Sequence, residues 1–188
     1  MKSKIFAYLV FCPALIMLAC SEDEIVSPLS QQGEHELALK DAGAVQVSGI
    51  GFYATDIECD ALGQGADVAL LMTGDLEGCH YIWVEEYGCS PSGTYRDAGR
   101  ELFIGTYKGE AGSFETTYKF EAKFEGCADD GSPLGVEIFG RCQHPIVKGS
   151  GQGVFAGVTG RLDFKDDIAA GNFPFRGHFK FQSSLVPN

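Results

Sequence analysis

Apolar and polar residues alternate with period two through most of the chain beyond Val45. The clearest run places Phe114, Thr116, Tyr118, Phe120, Ala122 and Phe124 on one side, with Glu115, Thr117, Lys119, Glu121 and Lys123 on the other. A second run sets Phe173, Phe175, Gly177, Phe179 and Phe181 against Pro174, Arg176, His178 and Lys180. Successive side chains of a strand point to opposite faces, so each run describes a strand with one buried and one wet face, as antiparallel sheets have. Phe120 is accordingly expected in the core and Lys119 in solvent. Less regular strands are predicted at Val45–Ile57, Ala66–Thr73, His80–Tyr87, Glu101–Tyr107, Gly135–Cys142 and Gly153–Phe164. Turn-forming residues separate them at Gly74-Asp75, Gly88 to Gly93, Gly109 to Gly112, Asp129-Asp130-Gly131 and Gly149 to Gly151. About eight short-linked strands make a meander that must close or stack to hide its edges.

The first residues follow another pattern. Lys2 and Lys4 precede an apolar stretch from Ile5 to Leu18, too short to span a bilayer comfortably, and Ala19 stands immediately before Cys20. This is the layout of a secretory signal. The run Ile16-Met17-Leu18-Ala19-Cys20 resembles the lipobox of bacterial lipoproteins, with Met17 where leucine is usual. The resemblance implies that residues 1–19 are a signal peptide and that Cys20 becomes an acylated N-terminus. Residues 20–43 are polar and acidic and read as a flexible tether. The segment Ser21-Glu22-Asp23-Glu24 resembles the acidic tag that sends some lipoproteins to the outer face of the outer membrane. Residues 44–188 are left as one all-β domain.

Composition narrows the partners. The chain carries 14 basic and 26 acidic residues, and loss of Lys2 and Lys4 would take its net charge from −12 to −14. Nucleic acid and anionic lipid would be repelled, so neither is expected as a partner. After the signal, roughly 165 residues remain, enough for one domain with its own core. With 25 glycines and 14 phenylalanines, the chain suits closely turned, aromatic-packed β structure. Oligomeric state is not legible.

The stretch Gly149-Ser150-Gly151-Gln152-Gly153-Val154-Phe155-Ala156-Gly157-Val158-Thr159-Gly160-Arg161 resembles the Gly-x-Gly-x-Phe-x-x-Ala/Val-x-Gly segment of dirigent proteins and allene oxide cyclase-like barrels. The resemblance covers this one segment. It implies a closed antiparallel β-barrel of about eight strands with an apolar interior, the calycin-like architecture. Phe155 is then expected to fill the barrel, while Gly157 and Gly160 leave room for neighbouring aromatic side chains. Activities differ among such barrels, so fold does not fix function.

Cys59, Cys79, Cys89, Cys127 and Cys142 fall in the domain. In an oxidising compartment, disulfides are expected ahead of a metal site, and close CxxC spacing is absent. Consecutive turns of a meander alternate between the two ends of the barrel. Counting them puts Cys142 at the end that holds Cys79, and Cys127 at the end that holds Cys89. The predicted bonds are Cys79–Cys142 and Cys89–Cys127, leaving Cys59 free or competing for Cys89.

Parity raises a candidate ligand site. Glu101 shares a face with Phe103 and Tyr107, and Glu137 and Arg141 share one with Phe139. If those aromatic faces point inward, two carboxylates and a guanidinium lie inside the barrel, where buried charge favours function. If Leu102, Ile104, Val136 and Ile138 point inward instead, all three are surface groups. His80 and His144 lie beside Cys79 and Cys142 at matching strand ends, which makes a Cys/His metal site conceivable, although disulfide bonding is preferred. His178 is expected in solvent. The pairs Asp129-Asp130 and Asp166-Asp167 lack calcium-loop spacing and read as loop charges. No Gly-x-Ser-x-Gly, His-Glu-x-x-His or phosphate-loop motif occurs. No cofactor or metal is therefore expected. The expected function is a non-catalytic binding or structural role for a barrel lipid-anchored at the outer membrane, with a small apolar ligand. The alternative, implied by the resemblance, is an enzyme guiding cyclisation or coupling of an unsaturated apolar substrate.

Overall fold

The computed structural model describes residues 43–181. The expected signal peptide at 1–19, the lipidated Cys20 and the tether, up to its last residue, lie outside the described residues, as does the C-terminal end of the expected domain. Nine strands are formed: β1 (Val45–Tyr53), β2 (Val68–Gly74), β3 (Leu76–Cys89), β4 (Thr94–Tyr107), β5 (Glu110–Cys127), β6 (Pro133–Pro145), β7 (Gln152–Gly153), β8 (Thr159–Lys165) and β9 (Phe173–Lys180). A single helical turn, α1 (Ala61–Gln64), interrupts the β1–β2 connection.

Every pairing is antiparallel. Neighbours round the ring run β1-β2-β3-β4-β5-β6-β8-β9, and β9 pairs with β1 to close it. The result is a closed eight-stranded barrel, with β7 as a short outside strand on β5. Closure removes the exposed edges that an open meander would present.

The two long alternating runs face as their periodicity demands. Phe114, Thr116, Tyr118 and Ala122 of β5 are buried, as are Phe175, Gly177 and Phe179 of β9. Phe120 differs from expectation: it points inward but is only partly buried, because it lines an interior cavity. One half of the barrel is solid. Phe103, Phe114, Phe155 and Phe179 are fully buried there, with Phe114 and Phe155 ring centroids 4.9 Å apart in edge contact. Phe155 therefore does fill the barrel, at the end capped by the β4–β5 turn. Around it the chain forms turns and the two-residue β7, instead of one coiled strand from Gly153 to Phe164. Gly160 is required for a reason other than aromatic crowding: φ is +132°, and a Cβ there would strike the backbone carbonyl of His178.

The disulfides are Cys59–Cys79 and Cys89–Cys127. The second agrees with the strand count. The predicted Cys79–Cys142 bond is absent, and Cys142 is the free cysteine among the described residues. Strand counting resolves the ends of a barrel but not its walls or faces. Cys79 points outward from β3, whereas Cys142 points into the core from β6, and neither strand neighbours the other. Cys59 is not held at the barrel end either. Its loop folds back over the outer face of β2 and β3, burying Cys59, Ala66, Ala69 and Tyr81 in a small second cluster. The Trp83 indole N–H donates to the Gly65 carbonyl at 2.6 Å and fastens that cover.

Candidate functional site: a buried His-Glu-His cluster beneath an acidic cavity

Opposite the aromatic plug, the barrel encloses a cavity of about 330 Å³ that opens at the other end. Tyr53, Tyr95, Phe124, Pro133 and Phe173 stand round it with Glu137 and Asp166, and Glu101 and His144 line it more deeply. The inward facing of β4 is settled in favour of its aromatic side. Glu101, Phe103 and Tyr107 are buried, while Ile104 is 42% exposed.

Glu101 is 2% exposed and sits among three polar side chains. Thr116 on β5 donates its hydroxyl to Glu101 Oε2 at 2.5 Å, and His144 Nδ1 on β6 lies 2.6 Å from the same oxygen. His80 on β3 brings Nε2 to 3.2 Å from that oxygen. Strand register assembles them: Glu101 faces Thr116 across β4–β5, and His80 faces Phe103 across β3–β4. Burial alone would raise the Glu101 pKa, but the adjacent His144 and His80 outweigh it and hold the carboxyl well below its ordinary range. Glu101 is thus an ionised group in the protein interior.

Hydrogen bonding in this cluster is unevenly distributed. Glu101 Oε1, both ring nitrogens of His80 and His144 Nε2 are buried without a protein hydrogen-bond partner. Leaving such a group unpaired typically costs about 1–3 kcal/mol. Concentrations of this kind mark sites that meet something besides the protein itself.

Further up, the Tyr95 hydroxyl donates to Asp97 Oδ2 at 3.1 Å. Burial and the neighbouring Asp97 push the Tyr95 phenol up to about 12. Burial likewise raises the Asp97 carboxyl and drives the Tyr118 phenol and Cys142 thiol upward, so the latter two stay protonated at neutral pH. Asp166 and Glu137 meet at the cavity. Burial, a shared hydrogen bond and the charge of Glu137 raise Asp166 to about 7. Gly140 lies beside them, and a Cβ there would have to push both carboxyl groups aside.

Of the three residues proposed from parity, the structure brings Glu101 and Glu137 to one cavity and sends Arg141 elsewhere. Arg141 is exposed and donates to Glu121 Oε1 at 2.9 Å. A bulge explains the split. Lys123 pairs with Phe139 but Phe124 pairs with Glu137, so Ile138 is the extra residue and parity reverses across it. Glu137 therefore faces inward while Phe139 and Arg141 face out, and Val136 and Ile138 are exposed as well. Neither uniform facing of this strand is realised.

Other sequence expectations divide. Asp166 is a cavity residue and not a loop charge, whereas His178 is exposed as expected. His80 and His144 do converge, with Glu101 in place of cysteine as their third member. Asp97 was missed because β4 begins at Thr94, seven residues before the predicted start. Arg96, Asp97 and Arg100 hide the alternation Tyr95, Asp97, Gly99, Glu101. No known protein family matches the chain, and comparison with curated proteins and with solved structures gives no match.

Proposed function

We propose that this protein is a lipid-anchored cell-envelope barrel that binds one small molecule, with the body of the ligand in the aromatic half of the cavity and its polar group at Glu101 and His144. The observation carrying this reading is a cavity of about 330 Å³ with a buried, ionised carboxylate in its lining. Small barrels are either filled or hold one ligand, and this one is filled at one end only. Ligand pockets typically join apolar walls to a few converging polar groups. The carboxyl groups of Asp97, Glu101, Glu137 and Asp166 line the cavity, and none of its described lining residues is Lys or Arg. An anionic head group is therefore disfavoured, and a neutral or cationic one is favoured. Support for the anchor is the lipobox-like run ending at Cys20 and the presence of two disulfides, which suit an oxidising compartment.

The direct test is native mass spectrometry and lipid extraction of the detergent-purified full chain, followed by titration with a dansylated alkylamine and a matched dansylated fatty acid. One equivalent of a bound small molecule, or saturable binding of the amine probe weakened by Glu101→Gln, is expected. Absence of any co-purifying species together with no saturable probe binding would overturn the reading.

A second reading has one observation behind it. A fixed carboxylate in a cavity with aromatic walls stabilises positive charge developing on an unsaturated substrate, so Glu101 could support cyclisation or coupling of the kind implied by the glycine-segment resemblance. Chemical conversion of a bound polyene, lost in Glu101→Gln, would favour it over simple binding.

A further inference from the structure

We propose that His80, Glu101 and His144 bind a divalent first-row transition metal ion, zinc foremost, with an open coordination position facing the cavity.

Three strands supply the three donors, and their ligand atoms all lie within 4.8 Å of one another. Two imidazoles and a carboxylate form a donor set common to catalytic zinc sites, which keep the fourth position for water or substrate. Metal–ligand bonds of about 2.0–2.1 Å in tetrahedral geometry put neighbouring ligand atoms about 3.4 Å apart. His80 Nε2 and Glu101 Oε2 are already 3.2 Å apart, close to that spacing. The 2.6 Å contact of His144 Nδ1 with the same oxygen is a hydrogen bond, which a metal would replace by a slight ring rotation.

The surroundings fit a metal better than a self-sufficient hydrogen-bonded triad. Thr116 fixes the carboxylate from behind by donating to Oε2, as outer partners of metal ligands do. His144 packs against Phe164 with ring centroids 4.6 Å apart, and His80 packs against Phe164 at 6.0 Å, so both rings are held by the core. Strand backbones position all three residues, with no loop involved. Glu101 and His144 line the cavity, which directs the open position toward it. Asp97 on the same inward face of β4 also lines the cavity. Calcium and magnesium are excluded by chemistry, since both demand mostly oxygen ligands. Cys142 is not one of the three residues whose ligand atoms lie within 4.8 Å of one another, so the donor set is nitrogen and oxygen only.

The test uses the full chain in detergent, treated with chelator and returned to metal-free buffer. Calorimetric titration with Zn²⁺ should show one tight equivalent, and Co²⁺ should develop the intense visible bands of a four-coordinate site. X-ray absorption on the zinc-loaded wild type should show two imidazoles and only nitrogen or oxygen in the first shell. His80→Asn and His144→Asn should each weaken Zn²⁺ by more than the roughly 10–100-fold that losing an outer-shell partner costs. His178→Asn, changing an exposed histidine, should bind like wild type. Wild-type protein that stays folded and takes up no Zn²⁺ or Co²⁺ would overturn the proposal. So would sulfur in the first shell, or tight binding retained by both folded histidine variants. Should those variants fail to fold, the absorption spectrum of the wild type decides alone. Ligand binding with no metal uptake would sink this inference and leave the proposed function standing, and the converse would separate them equally well.

Discussion

Glu101 is a charge held in the interior by two imidazoles and a hydroxyl, and its removal has a calculable sign. Glu101→Gln keeps the shape and the Thr116 bond but discharges the group. The loss should be the cost of an impaired buried hydrogen bond, about 1–3 kcal/mol, because the amide keeps the shape and can still accept from Thr116. Because the folded-state pKa lies below the ordinary 4.5, the Glu101 contribution is present above that pH and lost as pH falls beneath it. Asp166 has the opposite sign. Its folded pKa of about 7 exceeds the ordinary 3.8, so the native state holds the extra proton and stability declines as pH rises between those values. Thermal midpoints measured in metal-free buffer should therefore fall as pH drops below 4.5 and also as it rises from 3.8 to about 7. Asp166→Asn should remove the decline toward neutral pH, and Glu101→Gln should flatten the acid limb. A decline toward pH 7 that persists unchanged in Asp166→Asn would show that the Asp166–Glu137 pair is not its source.

At the scale of the element, what the chain's pattern reveals depends on what interrupts it. β5 and β9 alternate without a break, and their facings are readable residue by residue. β6 carries a bulge at Ile138, so Glu137 and Arg141 separate although their spacing says they share a face. A bulge is set by pairing with β5, which no local period encodes. The histidines were legible as neighbours of cysteines, but their shared partner Glu101 becomes apparent only when the meander curls into a barrel and brings the inward side chains of β3, β4 and β6 together. The Cys59–Cys79 bond was hidden for a related reason: an irregular loop that folds back over a sheet has no period to read. Packing predictions follow from the same distinction. Phe103→Ala, at 0% exposure in the solid half, should cost about 3–5 kcal/mol. Phe120→Ala, facing the cavity, should cost clearly less, because part of its surface already lacks protein neighbours. Equal losses in chemical denaturation would mean that the cavity half is as closely packed as the plug. For the disulfides, non-reducing peptide mapping should recover Cys59–Cys79 and Cys89–Cys127 with Cys142 as a thiol, and a Cys142 crosslink would contradict the inward facing of β6.

Across the whole molecule, closure and anchoring are separable. The β1–β9 pairing that shuts the barrel runs from Val45↔Phe179 to Gly51↔Phe173, so the ring is complete without any residue before Val45. The proposed lipid attachment at Cys20 is therefore not needed to close the ring. Membrane retention by acyl chains scales at about 0.8 kcal/mol per buried CH₂, and one chain alone gives only reversible binding. A multiply acylated Cys20 would hold the barrel firmly, whereas the acidic domain itself has no electrostatic attraction to anionic lipid. Cys20→Ser should thus abolish acylation and leave an unprocessed or soluble product, while the thermal midpoint and disulfide pattern of its barrel match those of the wild type. Metabolic labelling with a fatty-acid analogue, membrane fractionation and calorimetry on the same preparations check the three parts separately. If the Cys20→Ser protein still sediments with membranes at mature length, the lipobox reading fails; if it is released but its barrel melts earlier, then residues ahead of Val45 support the barrel and the two functions are not independent.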